Sequence, residues 1–322
     1  MSNLWKIRRA WRGVVWATGL AAVLAAGPLA AAAKDAAAGT SAPIVIGTSH
    51  RLASAVLGDV REINVRLPDG YAAGGRAYPV LYLLDGGLEQ DFGHIAGLAQ
   101  LGDVSGTFGP FIVVGVQTKV RRAELTPPAT DARYRAGFPD AGGAARFRRF
   151  LAEEVFPFVA ANYRVEPRRA VMGESLAGLF VVDTLLHAPA MFDDYVAVSP
   201  SLWWDDRNGL RRLGGASGDG LLEAGPLEGR RVVLAVADEG GTMQSGVDML
   251  REALAMRVLA GAPGFSFRYL DRSQTDTHAT ILHGAALEVL RGLYAAPPID
   301  YGPTPWFMIE GGRPPAGPAA AR

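Results

Sequence analysis

Short, unbroken apolar runs separated by amphipathic stretches constrain this chain more than any other feature. Val80–Leu84 (VLYLL), Phe111–Val116 (FIVVGV), Tyr195–Val198 and Arg231–Ala237 (RVVLAVA) lack the polar alternation of a strand with one wet face. Ala170–Met172 ends a shorter run, and Phe265–Leu270 (FSFRYL) is read with the set. Such runs mean strands covered on both faces, as in a parallel sheet sandwiched by helices. Between them lie helical spacings: Ala144–Ala161, with Phe147, Phe150, Leu151, Val155 and Phe158 on one side, then Leu176–His187, Gly246–Ala260 and Ala279–Tyr294. Arg61–Leu67 alternates instead, with Ile63, Val65 and Leu67 on one face of a half-buried strand. Strand and helix alternating along most of the chain predict one α/β domain over residues 44–296, its mostly parallel central sheet flanked by helices on both faces.

The ends read differently. Lys6, Arg8, Arg9 and Arg12 precede an apolar stretch, Gly13–Leu29, and Ala30–Ala33 offers small-residue cleavage sites. That layout is a secretory signal peptide over residues 1–33, followed by an Ala/Gly/Ser linker over 34–43. A retained anchor is disfavoured by Gly19, Gly27 and Pro28. Arg8-Arg9 lacks the Ser/Thr usual before a twin-arginine pair, because Ile7 stands there, so the export route is open. Export makes the expected location periplasmic or secreted, with no stable membrane span once the signal is removed. The complete absence of cysteine fits an oxidising space and excludes thiolate chemistry. Residues 297–322 form a Pro/Gly-rich tail, with Trp306, Phe307 and Met308 expected to dock it on the body. Basic and acidic residues balance at 32 each, so charge offers nothing for a nucleic acid partner, and it leaves the oligomeric state open.

In an open parallel sheet, ligands sit outside the carboxyl ends of the strands. Polar residues fall at those ends in the order Ser175, then Asp238-Glu239, then His278. Ser175 lies in VMGESLAGLF, where an apolar run passes into a helical one. A serine there is either a helix N-cap or a nucleophile on a strained strand-to-helix turn. Small neighbours, Gly173 and Ala177, suit the strained turn, although Ala177 occupies a place where glycine is usual. The order Ser, acid, His is that of the α/β-hydrolase triad. The residues alone leave Asp238, Glu239 and Asp276 open as the acid. Oxyanion donors are expected from the backbone N–H groups of Leu176 and of Gly87, in the loop Leu83–Gly87. His94, with Glu89 and Asp91, matches no standard metal spacing and is read as pocket lining. No phosphate-binding loop, dinucleotide fingerprint or zinc motif is present, so neither metal nor organic cofactor is expected.

Taken together, PVLYLLDG, PFIVVGVQTKVRRAELTPP, GESLAGLF, MFDDYVAVSPSLWW, DEGGTMQ and THATILH resemble the putative esterase family, which holds esterase D, the enterochelin-type siderophore esterases and their exported relatives. The resemblance runs from about Ile44 to Tyr294. It implies an α/β-hydrolase fold, Ser175 as nucleophile, His278 as base and Glu239 as acid. It also implies a pocket near SPSLWW, with Trp203 and Trp204 available to stack on an aromatic acyl group, and Arg121 and Arg122 near the entrance. The expected activity is hydrolysis of a small-molecule carboxylic ester, of siderophore or aryl type, through an acyl-enzyme. The alternatives are an acyltransferase on the same fold and an inactive ligand-binding relative.

Overall fold

The structure is a computed structural model and describes residues 41–211, 213, 227–297 and 302–313. The expected signal peptide (1–33) lies outside the described residues, as does most of the expected linker; its last residues, 41–43, are irregular and exposed. The described residues from Val45 onward belong to one compact unit.

An eight-stranded sheet runs through it in the order β1-β2-β4-β3-β5-β6-β7-β8. The strands are β1 Thr48–Ser54, β2 Asp59–Arg66, β3 Tyr78–Leu84, β4 Ile112–Val116, β5 Val165–Glu174, β6 Asp194–Val198, β7 Arg231–Val236 and β8 Ser266–Asp271. Only the first two break the parallel pattern: β1 pairs antiparallel with β2, and β2 with β4. All pairings from β4 to β8 are parallel.

The helices are α1 Phe92–Ser105, α2 Arg121–Leu125, α3 Ala132–Gly137, α4 Ala144–Phe150, α5 Phe156–Asn162, α6 Leu176–His187, α7 Asn208–Arg211, α8 Gly241–Leu259 and α9 Ile281–Leu293. Between α4 and α5 the chain stays helical through a π-turn, Leu151–Val155, where the N–H of Phe156 bonds the carbonyl of Leu151. Pro157 follows at once. It has no N–H to give and its ring crowds the preceding turn, so the ladder widens there instead of breaking. The single helix expected over Ala144–Ala161 is thus three joined pieces.

Period-two alternation in the strands sorts the core into two halves. Leu81, Leu83, Val113, Met172, Val196 and Ala235 face α1 and α9. Val80, Tyr82, Val114, Val171, Ala197 and Leu234 face the opposite layer, with Phe147, Phe150, Phe180 and Leu250 from α4, α6 and α8. A strand covered on both faces has no polar side to show, which is why these runs are continuous in the sequence. Full burial of one such aliphatic or aromatic side chain stabilises by about 1.5–3 kcal/mol.

Two expectations need correction. β1 and α1 were not foreseen as elements: β1 (TSHRLAS) is an edge strand of mixed polarity, and α1 (FGHIAGLAQLGDVS) is a continuous helix whose sequence carries three glycines, poor helix formers. In the described part of the tail, Trp306, Phe307 and Met308 form a short 3-10 turn and stay 42%, 68% and 69% exposed, so they do not dock on the body. Among the described residues no helix is long and apolar enough to cross a membrane.

Candidate active site

Because β5 to β8 are parallel neighbours, the segments that follow them emerge along one edge of the sheet. Ser175 follows β5, Glu239 follows β7, and His278 lies between β8 and α9. The structure brings these three side chains into one line. His278 Nε2 lies 3.0 Å from Ser175 Oγ, and His278 Nδ1 lies 2.9 and 3.0 Å from the two oxygens of Glu239. Glu239 is 4% exposed, while the imidazole is half-exposed. A buried carboxylate against Nδ1 fixes the tautomer with its proton on Nδ1 and leaves Nε2 free to accept from the serine. That contact raises the His278 pKa above its ordinary value; burial opposes the rise, and the nearby Glu174 adds to it. Of the other acids considered, Asp276 is bound by Arg272 at 2.6 Å, and Asp238 points to solvent.

Ser175 sits at φ 58°, ψ −117°, a left-handed conformation that costs a residue with a Cβ on the order of 1–3 kcal/mol. It occupies the N-cap place of α6, yet its hydroxyl makes no capping bond. The capping reading therefore describes its position and not its hydrogen bonding. The turn is held by its backbone: Ser175 N–H donates to the Val198 carbonyl at 3.0 Å, and its own carbonyl accepts from Leu179 and Ser201, each at 2.9 Å. The small residues around it are needed for close approach. A Cβ on Gly173 would fall 2.6 Å from the backbone of Ala177, and one on Gly178 would fall 2.9 Å from the Val198 carbonyl.

Leu176 opens α6, and the first N–H groups of a helix have no carbonyl one turn back to bond. Gly87, expected as the second oxyanion donor, has its N–H engaged in the resting structure: it donates to Gln90 Oε1 at 2.9 Å. Gln90 is itself held by the carbonyl and hydroxyl of Thr118. An incoming oxygen must share or displace that amide to use Gly87.

The surrounding charges are crowded. Asp85, at φ 52° after β3, accepts from the Thr118 hydroxyl and from Arg121 Nε at 2.8 Å. Asp91 is pushed up to about 6 by burial and by Asp85. Glu174, immediately before the serine, is pushed up to about 7 by burial and by Asp91, and one of its oxygens is buried without a partner. Arg121 thus lies beside the site, as expected, but is committed to Asp85; Arg122 stacks over the Phe138 ring at 4.6 Å.

The residues expected to line the pocket separate. Trp203 is half-buried and lies against Tyr134 and Phe138, with ring centroids 6.3 Å apart in each case. Trp204 is buried in the core, its indole N–H donating to the Pro127 carbonyl at 3.0 Å, and it walls a cavity of about 580 Å³ with Leu179, Leu186 and Leu202. His94 packs edge-on against His283, 4.8 Å between ring centres, and burial lowers its pKa. No group of three or more His, Cys, Asp or Glu side chains is arranged to hold a metal among the described residues.

Besides Gln90, sequence reasoning passed over Ser201 and Asp205. Ser201, two residues before Trp203, lies with its Oγ 3.2 Å from that of Ser175. Asp205 holds this loop: its buried carboxylate accepts from the N–H groups of Thr130 and Asp131 and from the Thr130 hydroxyl. The signal for Ser201 was topological, since β6 lies between β5 and β7 and its following loop must cross the nucleophile.

The family model described as "Putative esterase" matches residues 54–258. This chain belongs to that family. It is 30% identical over 145 residues to the ferri-bacillibactin esterase BesA of Bacillus subtilis (strain 168), a stretch covering 40% of this chain and 49% of that protein. It is 34% identical over 137 residues to the apo-salmochelin esterase of Escherichia coli O6:H1 (strain CFT073), covering 39% and 42% of the two chains. The matched stretch spans about half or less of these curated relatives. Among solved structures, an IroE-like serine hydrolase from Shewanella oneidensis superposes with a TM-score of 0.62 at 28% identity, over 77% of this chain and 80% of that one. The fold is that of the α/β hydrolases.

Proposed function

We propose that this protein is an exported serine esterase that hydrolyses a siderophore-type or aryl carboxylic ester. The observation that carries the reading is the unbroken line from Ser175 Oγ through His278 to Glu239. Neutral His278 accepts the Ser175 proton on Nε2 as Oγ attacks the ester carbonyl. The imidazolium so formed is stabilised by Glu239. The tetrahedral oxyanion takes hydrogen bonds from Leu176 N–H and from Gly87 N–H, the latter released from Gln90. One such donor is worth about 2.7–4 kcal/mol in acyl-transfer enzymes. His278 then protonates the departing alcohol oxygen, leaving Ser175 acylated, and water attacks by the same route in reverse. The names of the relatives support a siderophore-type ester, and the aromatic group of Trp203, Tyr134 and Phe138 supports an aryl acyl portion. Export rests on the amino-terminal charge and hydropathy pattern alone.

The test is hydrolysis of p-nitrophenyl acetate and butyrate by the protein and by Ser175→Ala and His278→Ala. Turnover by the wild type, with a loss of at least about a thousandfold in kcat/KM in each variant, is expected. Variants as active as the wild type would refute the site. Release of acyl groups to an added alcohol in preference to water would replace hydrolysis with acyl transfer.

A further inference from the structure

We infer that the Ser201 hydroxyl is a second hydrogen-bond donor to Ser175 Oγ and speeds acyl transfer by stabilising the negative charge that builds on that oxygen. The inference rests on Ser175 being the nucleophile.

It follows from counting protons. Ser175 and Ser201 lie 3.2 Å apart, and the distance alone does not say which donates. Glu239 against Nδ1 makes His278 Nε2 an acceptor, and Ser175 Oγ is 3.0 Å from it. The Ser175 proton is therefore committed to the histidine. The one hydrogen left to lie between the two hydroxyl oxygens belongs to Ser201. Its hydroxyl has no other hydrogen-bond partner among the described residues, and the residue is 2% exposed, so water does not compete for it. A buried hydroxyl with a single acceptor keeps to it.

The loop is built to hold that geometry. Ser201 N–H donates to the Ser175 carbonyl at 2.9 Å, which ties the two residues through backbone as well as side chain. On one side, Ser199 takes φ 38° and is pinned to β7 through its N–H to the Ala235 carbonyl. On the other, Asp205, Asp206 and Arg207 run at φ 50°, 48° and 63°, fastened by the Asp205 carboxylate to Thr130 and Asp131. Left-handed residues on both sides of a short loop are a sign that its position is over-determined.

As the Ser175 proton passes to His278, Oγ gains negative charge and the Ser201 bond becomes charge-assisted, hence stronger in the transition state than in the resting enzyme. Once Oγ is an ester oxygen it accepts weakly and the bond relaxes. No proton moves from Ser201 at any step.

The experiment is the rate of Ser175 phosphonylation by a fluorophosphonate, followed across pH for wild type, Ser201→Ala and Ser201→Thr, with melting temperatures alongside. Alanine is expected to lower the plateau rate roughly tenfold, the scale of one hydrogen bond to a charged oxygen. The pH midpoint, set by His278, is expected to stay where it is. Threonine keeps the donor but adds a methyl to a packed site, so it should label faster than alanine even where it melts earlier. A purely structural role predicts the opposite order, because overpacking harms a buried loop more than a small deletion. Alanine within threefold of wild type, or threonine as slow as alanine or slower, overturns the inference and leaves the esterase reading standing. Absence of labelling in the wild type overturns both. Should alanine fail to fold, Ser201→Cys, a near isostere with a weak donor, takes its place and is held to the same threefold criterion.

Discussion

The two ends of the parallel sheet are made of similar residues put to opposite uses. At the amino end of β6, Asp194 is 1% exposed and is gripped by Arg168 at 2.5 Å and by Arg231 at 2.6 Å. Its neighbour Asp193 takes Arg230 and the Arg169 N–H. At the carboxyl end, Glu174 keeps a buried oxygen without a partner and Asp91 is crowded by Asp85. All the non-glycine residues with left-handed φ among those described fall at the carboxyl end: Asp85, Ser175, Ser199, Asp205, Asp206 and Arg207. At the amino end the charges are matched, although the Tyr294 hydroxyl is buried beside them without a partner; at the carboxyl end the backbone is strained and a carboxyl oxygen is left unmatched. Strain and unmatched charge collect where a reaction needs groups held in poses they would not choose.

If that contrast is right, substitutions at the two ends should separate activity from stability. His278→Ala is expected to cost at least about a thousandfold in ester turnover with little change in melting temperature, read by kinetics and thermal unfolding together. Glu239→Gln removes the charge that raises the His278 pKa. It should lower kcat by roughly a hundredfold or more and move the acid limb of the kcat/KM profile to lower pH. The sign follows from the base: His278 works only when neutral, so a raised pKa places the wild-type limb above the ordinary histidine value. At the other end, Asp194→Ala leaves two arginines without their carboxylate. It should destabilise by about 3 kcal/mol in denaturant titration, the low end for a broken buried pair because both arginines are partly exposed. Turnover per folded molecule should not change. Glu174→Gln should act on stability alone, and only above the ordinary glutamate range. Its carboxyl stays protonated in the fold up to about 7, whereas the unfolded chain ionises near the ordinary glutamate value. Native stability therefore falls as pH rises between those values, and the fall is absent in the glutamine variant. The variant should melt higher than wild type at pH 8 and match it at pH 4. A stabilising substitution at the amino end of the sheet, or a loss of turnover from Asp194→Ala, would blur the contrast.

The sequence disclosed this sheet well because strands buried on both faces have nothing polar to hide, and α6 was bounded correctly as Leu176–His187. β1 was not legible: TSHRLAS pairs on one edge only, and its register depends on β2. Ser175, Glu239 and His278 were legible because each follows a strand in a parallel sheet, so their order in the chain implies a shared edge. Which carboxylate meets the histidine depends on side-chain direction after β7, something no spacing encodes; the resemblance, not the periodicity, pointed to Glu239. For Trp204 the sequence could not say whether the ring faces a ligand or the core; it is buried, gives its indole N–H to the Pro127 carbonyl and walls a cavity with Leu179, Leu186 and Leu202. Gln90 escaped notice because its role is to accept, through its side chain, the backbone N–H of Gly87 three residues earlier in the same turn.

The central claim is that Ser175 is the nucleophile of an acyl-transfer reaction. Peptide mapping by mass spectrometry after brief exposure to a fluorophosphonate tests it most directly. The account predicts a single adduct on Ser175, lost in His278→Ala under the same exposure. An adduct on another residue, or ester turnover that persists with Ser175 unmodified, would contradict it.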